Sequence, residues 1–265
     1  ILGCMIIAAL AFVAVAPTLI WLEFSYASEN LVVEPAMEMH RGGPWLIPTL
    51  AGAPRTRKPP LPTWICAAFV RPATVAALAD AQWRDQAYRR LAWEVRWPAL
   101  VLSCLSIILC GWIGRVLISD GAGFASAAMM ASSMLFLRFG RFATNDVHLM
   151  LWVIVANLFF AIAIFRNRRW LGCIAGGIAL GFALMSKGPV ALAQTVVPIA
   201  LFFIWRAWMK RPRERWRIAW VPILLAVAMV LLIAVPWPLY AMVRLPDQLH
   251  TWFVEIVQGG GKGNR

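Results

Sequence analysis

The sequence predicts an all-α membrane protein, a polytopic bundle of about seven transmembrane helices. Hydrophobic residues make up 62% of the 265-residue chain and charged residues only 14%, a balance typical of integral membrane proteins. Each uncharged apolar run is close to the ~20 residues that a helix needs to cross about 30 Å of hydrocarbon. The alternation typical of a membrane β-strand is missing, which favours helices. The runs are 1–21, 97–114, 121–137, 149–165, 170–186, 188–205 and 218–243.

The short loops predict how the bundle is oriented. Loops on one side carry ten basic residues and short loops on the other carry four, so the positive-inside rule places the first set in the cytoplasm. The four are Arg138, Arg141, Lys187 and Arg244; the ten are Arg115, Arg166, Arg168, Arg169, Arg206, Lys210, Arg211, Arg213, Arg215 and Arg217. Topology and headgroup contacts therefore account for the net charge of +13, and we predict no nucleic-acid partner.

The long segment 22–96 then forms the first periplasmic loop. Residues 29–41 and 73–96 are predicted to be helices, the first amphipathic and the second with tryptophans suited to the membrane interface. Between them, 42–64 contains six prolines, which forbid a continuous helix. Next to its Pro-Pro pair stand three cations, Arg55, Arg57 and Lys58. Such a stiff basic loop suits either one anionic lipid headgroup or unselective contact with phospholipids.

The spacing inside this loop carries a resemblance. It reads G-x-W-x-x-P-x-x-x-G and then K-P-P-L-x-x-W, on Gly43, Trp45, Pro48, Gly52, Lys58, Pro59, Pro60, Leu61 and Trp64. This resembles the first periplasmic loop of bacterial membrane glycosyltransferases similar to the lipid A aminoarabinose transferase and the protein O-mannosyltransferases. The resemblance implies a GT-C fold, with 1–265 a single transmembrane glycosyltransferase domain that forms the N-terminal part of a longer protein.

Two further motifs resemble the same family. After the third predicted span, R-x-x-x-x-D falls on Arg141 and Asp146, and the resemblance implies a functional carboxylate; the residues alone leave open an N-cap of the following helix. After the fifth, S-K-G-P places Lys187 at a helix junction, where it either holds a phosphate or extends as an ordinary loop lysine. We expect Lys58, Arg141, Asp146 and Lys187 on the same outer side.

The chain departs from the family at the acidic pair that opens the loop. Counting back from Trp45 places Ser28 where the family has its catalytic Asp and Glu29 at the second acidic position. Either Glu29 acts as the base, or activity has been lost, or Glu23 replaces it. Arg57 occupies the position of an acidic residue that commonly precedes K-P-P, which weakens the case for a divalent metal. No cofactor or metal site is assigned.

These observations favour a glycosyltransferase of the bacterial inner membrane whose active site faces the periplasm. It would move a sugar from a polyprenyl-phosphate donor to a lipid, glycan or protein acceptor, with inversion implied by the resemblance. Glu29 and Asp146 are the predicted catalytic carboxylates; Arg57, Lys58, Arg141 and Lys187 are predicted to bind the donor phosphate. The alternatives are a lipid-linked substrate transporter or flippase, and a non-catalytic relative that binds polyprenyl phosphate.

Overall fold

The computed structural model describes residues 1–209 and 220–258, the last four as backbone only. The first part of the chain forms α1 (Leu2–Val15), a 3₁₀ turn (Ala16–Thr18), α2 (Ala27–His40), β1 (Thr49–Leu50), β2 (Ala53–Pro54), α3 (Leu61–Phe69) and α4 (Pro72–Ala77). The second part forms α5 (Arg84–Leu117), α6 (Asp120–Ser132), α7 (Met134–Phe139), α8 (Asn145–Phe165), α9 (Arg169–Lys187), α10 (Val190–Trp208), α11 (Trp220–Ala234), α12 (Pro236–Arg244) and α13 (Gln248–Gln258). The predicted polytopic helical bundle is confirmed.

Five helices in the described residues are long and apolar enough to cross a membrane: α5, α8, α9, α10 and the stretch Trp220–Arg244. Two of the seven predicted spans are shorter. The first is α1 with its 3₁₀ turn, and the third is divided into α6 and α7 at Ser133. Ser133 has extended backbone and its hydroxyl accepts a hydrogen bond from the Phe136 N–H, so it caps α7 instead of continuing α6. The basic loop from Lys210 to Arg217 lies outside the described residues.

The interfacial helices differ from their predicted bounds. The helix predicted at 29–41 is present as α2. The one predicted at 73–96 is interrupted, because residues 78–83 form turns, among them one in which Asp80 accepts from the Gln82 N–H at 2.9 Å. After that interruption, α5 runs unbroken through Pro98 into the second span. The interfacial helix and the span are therefore one helix.

Small residues let the central helices pack closely. A Cβ on Gly172 of α9 would lie 2.5 Å from the Phe159 carbonyl oxygen of α8, and one on Gly177 would lie 2.5 Å from the Ala226 carbonyl oxygen of α11. Glycine is thus required where these backbones touch, a common arrangement between membrane helices. Because α9 is held against both neighbours, its last residue, Lys187, has a fixed place beside the start of α8.

At one end of the bundle the segment between α1 and α5 folds into a cap. The buried face of α2 packs on α3, the first turns of α5 and the start of α8, around Val32, Ala36, Cys66, Leu91 and Val147. The strands β1 and β2 form a small antiparallel hairpin whose turn holds Ala51 and Gly52 at positive φ, 52° and 75°. This cap carries the proline-rich segment over the helix ends.

Candidate functional site

A pocket of about 450 Å³ lies between the cap and the helix ends. Arg57, Lys58 and Pro59 line it from the proline-rich segment, and Lys187 lines it from the end of α9. Tryptophans and prolines supply much of its remaining wall, from α12, α13 and the start of α10. Three of the four predicted phosphate-binding cations therefore border one pocket, although Lys187 is more than a hundred residues from the other two in sequence.

Three indole N–H groups hold the proline-rich segment in place. Trp64 donates to the Trp45 carbonyl, Trp237 to the Leu46 carbonyl and Trp252 to the Thr56 carbonyl, each at 2.7 Å. Thr56 itself is buried and donates through its hydroxyl to Gln248. Since Thr56 directly precedes Arg57 and Lys58, the contacts from α13 fix the backbone that presents both cations. Sequence reasoning missed Trp237 and Trp252, because they are about 190 residues from their partners.

The turn between α9 and α10 places Lys187 at the pocket rim. Gly188 is the C-cap of α9 and has a φ of 81°, a value that favours glycine, and Pro189 is the N-cap of α10. The Lys187 ammonium forms an ion pair with the carboxylate of Asp146, in the first turn of α8. The side chains are 31% and 56% exposed, so solvent screens this pair. Lys58, Asp146 and Lys187 lie at the same end of the bundle, and the prediction that this end is the outer side stays a prediction.

Arg141 lies apart from the pocket lining. Its guanidinium donates to the Thr18 hydroxyl at 3.0 Å and stands 5.9 Å from the ring centre of Phe142. Its Nε is buried and has no hydrogen-bond partner within the part of the chain that the structure describes. Arg141 therefore joins the loop before α8 to the end of α1, and its predicted contact with the donor phosphate stays a prediction.

Glu29 occupies a different environment from Asp146. It is fully buried, and both of its carboxylate oxygens accept from Arg96, at 2.8 and 2.7 Å. One of them also accepts from the Ala143 N–H at 3.2 Å. The negative charge adds to burial in raising the pKa of the nearby Cys66 thiol, burial being the larger cause. The role of base predicted for Glu29 stays a prediction, and the geometry shows a carboxylate already engaged.

Sequence reasoning assigned no role to Arg96. The structure shows it fully buried with all five of its N–H donors used, two on Glu29 and three on the carbonyls of Leu19, Leu22 and Glu23. The signal available in the sequence was an arginine at the start of an apolar run. Among the described residues, no cluster of three or more His, Cys, Asp or Glu side chains is placed to hold a metal ion.

Comparison with known proteins identifies the family. The family model for dolichyl-phosphate-mannose-protein mannosyltransferase matches residues 80–252, which is more than half of the chain. The chain belongs to this family. The matched region contains α5, α8 and α9, and with them Asp146 and Lys187, whereas the proline-rich segment precedes it.

Curated relatives of this mannosyltransferase-family chain are undecaprenyl phosphate-α-4-amino-4-deoxy-L-arabinose arabinosyl transferases. The second such transferase of Sodalis glossinidius is 28% identical over 190 residues, 70% of this chain and 31% of the relative. The transferase of Edwardsiella ictaluri is 27% identical over 241 residues, 89% of this chain and 40% of the relative. The chain thus spans well under half the length of these relatives.

Crystal structures show the same fold. ArnT from Cupriavidus metallidurans matches in its apo state with a TM-score of 0.69, and in a form bound to undecaprenyl phosphate with a TM-score of 0.70. Both have 20% sequence identity and cover 94% of this chain and 43% of ArnT. The helical architecture of this family member is therefore that of the corresponding part of ArnT.

Proposed function

We propose that the protein containing this chain is a glycosyltransferase that moves a sugar from an undecaprenyl-phosphate-linked donor to a lipid acceptor. The observation that carries the proposal is the pocket in which Arg57, Lys58 and Lys187 converge beside Asp146. Such a cluster suits a phosphate that must be bound and then leave with its charge. The family, and the donor in the names of the curated relatives, support this choice.

In the proposed reaction a carboxylate acts on the acceptor, and the cations act on the donor phosphate. A carboxylate takes the proton from the acceptor hydroxyl, whose oxygen attacks the anomeric carbon with inversion. The bond to the phosphate oxygen breaks, and Lys58, Arg57 and Lys187 stabilise the departing polyprenyl phosphate. The tryptophan and proline walls limit water and so limit hydrolysis of the donor. Arg141 is held at Thr18 and does not line the pocket, so its contact with the donor phosphate stays a separate prediction.

We propose Asp146 as the base in preference to Glu29. Asp146 is more than half exposed and pairs with Lys187, which lines the pocket, whereas the Glu29 oxygens are already occupied by Arg96 and the Ala143 N–H. A base needs an available oxygen within hydrogen-bond reach of the proton that it removes. Because the Glu29 oxygens already accept hydrogen bonds, a second candidate function is also favoured: a non-catalytic protein that binds polyprenyl phosphate. Such a protein would bind the donor but would not transfer its sugar.

The test uses the full-length protein in proteoliposomes with radiolabelled undecaprenyl-phosphate aminoarabinose and a lipid acceptor. We expect transfer by the natural protein, and about tenfold weaker donor binding by Lys58→Met and Lys187→Met, the loss of one charged hydrogen bond. Arg89→Met, an exposed cation outside the pocket, serves as control. Donor binding without transfer to lipid, glycan or protein would favour the non-catalytic protein. Normal donor binding by Lys58→Met would overturn the proposed site.

Orientation is tested separately. We propose that the pocket faces the exterior of a bacterial inner membrane, because Arg115, Arg166, Arg168 and Arg169 lie at helix ends on the opposite side of the predicted topology. Reporter fusions after Pro60 and after Arg211 are expected to report external and cytoplasmic positions respectively. Finding both fusions on one side would contradict the proposed orientation.

A further inference from the structure

A buried ion pair contacts the segment that leads into α8. Arg96 and Glu29 are each 0% exposed. All five N–H donors of Arg96 have acceptors, and its guanidinium lies over the rings of Phe24 and Phe142 at 4.5 and 5.6 Å. A planar guanidinium whose five N–H groups all donate hydrogen bonds has few alternative positions, so the pair is rigid.

The pair joins three parts of the chain that are distant in sequence. Arg96 of α5 donates hydrogen bonds to the Leu19 and Leu22 carbonyls, which follow α1. It also donates to Glu29, which lies on α2. Glu29 passes the connection on to the loop before α8 by accepting from the Ala143 N–H. A buried N–H of this kind needs an acceptor, so the loop follows wherever Glu29 is placed.

Two other contacts grip the same loop. Ser103 of α5 donates to the Gly140 carbonyl at 2.7 Å, and the ring of Tyr26 stacks on Phe142 with centres 5.4 Å apart. Three residues after Ala143, in the first turn of α8, comes Asp146, which pairs with Lys187. A shift of the loop would therefore change where the Asp146 carboxylate lies relative to the pocket.

We propose that Arg96 and Glu29 are a positioning pair for the proposed transferase site, in which Glu29 sets the loop 140–145 and thereby places Asp146 beside Lys187. The pair contacts neither the pocket nor the cations that line it. Its effect is expected on the step that uses Asp146 and not on the capture of the donor phosphate. This inference rests on the proposed function for its catalytic consequence, while the structural part can be tested without any turnover.

The structural part is tested by amide hydrogen exchange of the full-length protein in lipid nanodiscs. We expect Glu29→Ala to raise exchange in a peptide covering 140–146 by about tenfold, because the Ala143 N–H loses its acceptor. Glu29→Gln keeps an acceptor oxygen and should leave exchange there within about threefold of the natural protein. If Glu29→Ala does not fold, the double variant Arg96→Met/Glu29→Ala replaces it, because it leaves no buried charge unpaired, and it should raise exchange at 140–146 by a similar factor.

Glu94→Ala is the matched control. Glu94 lies two residues before Arg96 on the same helix and is also buried, but it accepts from the Arg71 N–H and the Thr74 hydroxyl. Its loss should raise exchange around α4 and leave 140–146 unchanged. An equal rise at 140–146 in Glu94→Ala would show general loosening and overturn the proposal, as would unchanged exchange there in folded Glu29→Ala.

The catalytic part is read from the ratio of turnover to donor binding. In Glu29→Ala we expect transfer to fall by at least about tenfold while the donor Kd stays within about threefold, since the three cations that line the pocket come from the proline-rich segment and the end of α9. Equal losses in both quantities would contradict a positioning role. If the natural protein shows no transfer at all, the proposed function fails, and the exchange data still decide whether the pair positions the loop.

Discussion

Two ion pairs lie at the same end of the bundle, and they differ in almost everything except charge. Lys187–Asp146 is half exposed at the pocket rim, whereas Arg96–Glu29 is completely buried. An exposed pair adds little to stability and can exchange one partner for a substrate group. A buried pair cannot be opened without leaving an unpaired charge in a medium of low polarity. The difference separates a pair suited to chemistry from a pair suited to holding structure.

The largest expected effect is the loss of transfer when the charge of Asp146, and not that of Glu29, is removed. Asp146→Asn should lower transfer by about 10²- to 10⁴-fold, the usual contribution of general base catalysis. Glu29→Gln should retain transfer within about tenfold, because the amide still accepts from the loop while Arg96 keeps three carbonyl partners. Turnover in proteoliposomes at saturating donor measures both.

The reverse result would be equally informative. Abolished transfer in a folded Glu29→Gln variant that binds donor normally, together with an active Asp146→Asn variant, would establish Glu29 as the base. It would then follow that the Arg96 pair opens during the reaction, and the contrast between the two pairs would disappear.

The next effect is on stability. Arg96→Met should lower the free energy of unfolding by about 3 kcal/mol or more, because Glu29 is left buried without its partner. Lys187→Met should change it by less than about 1 kcal/mol, since that pair is exposed to solvent. Thermal unfolding of the purified protein in detergent compares the two. If both variants lowered the unfolding temperature equally, burial would not explain how much each ion pair contributes to stability.

The grouping of the exposed pair was predictable from sequence, and the buried pair was not. The loops that follow the first, third and fifth spans lie on the same side of the membrane, because each further pair of spans returns the chain to that side. Lys58, Asp146 and Lys187 lie in or beside these three loops, so they could be expected on one side without any contact being known. Arg96 and Glu29 are 67 residues apart, and the sequence around each of them does not indicate which residue it pairs with. The division at Ser133 was missed because an uncharged run continues across it.

The smallest expected effect concerns the indole contacts over the proline-rich segment. Trp252→Phe keeps a ring in the pocket wall and removes the N–H that donates to the Thr56 carbonyl. Without that bond, the backbone before Arg57 and Lys58 is held less firmly, and donor binding should weaken by about three- to tenfold, the effect of about one hydrogen bond. Trp93→Phe, an exposed tryptophan on α5, provides the control and should leave donor binding unchanged. If Trp252→Phe binds polyprenyl phosphate as tightly as the natural protein, the segment is stiff enough through its prolines alone. The cations would then owe their placement to Pro59 and Pro60, and α13 would only cover the pocket.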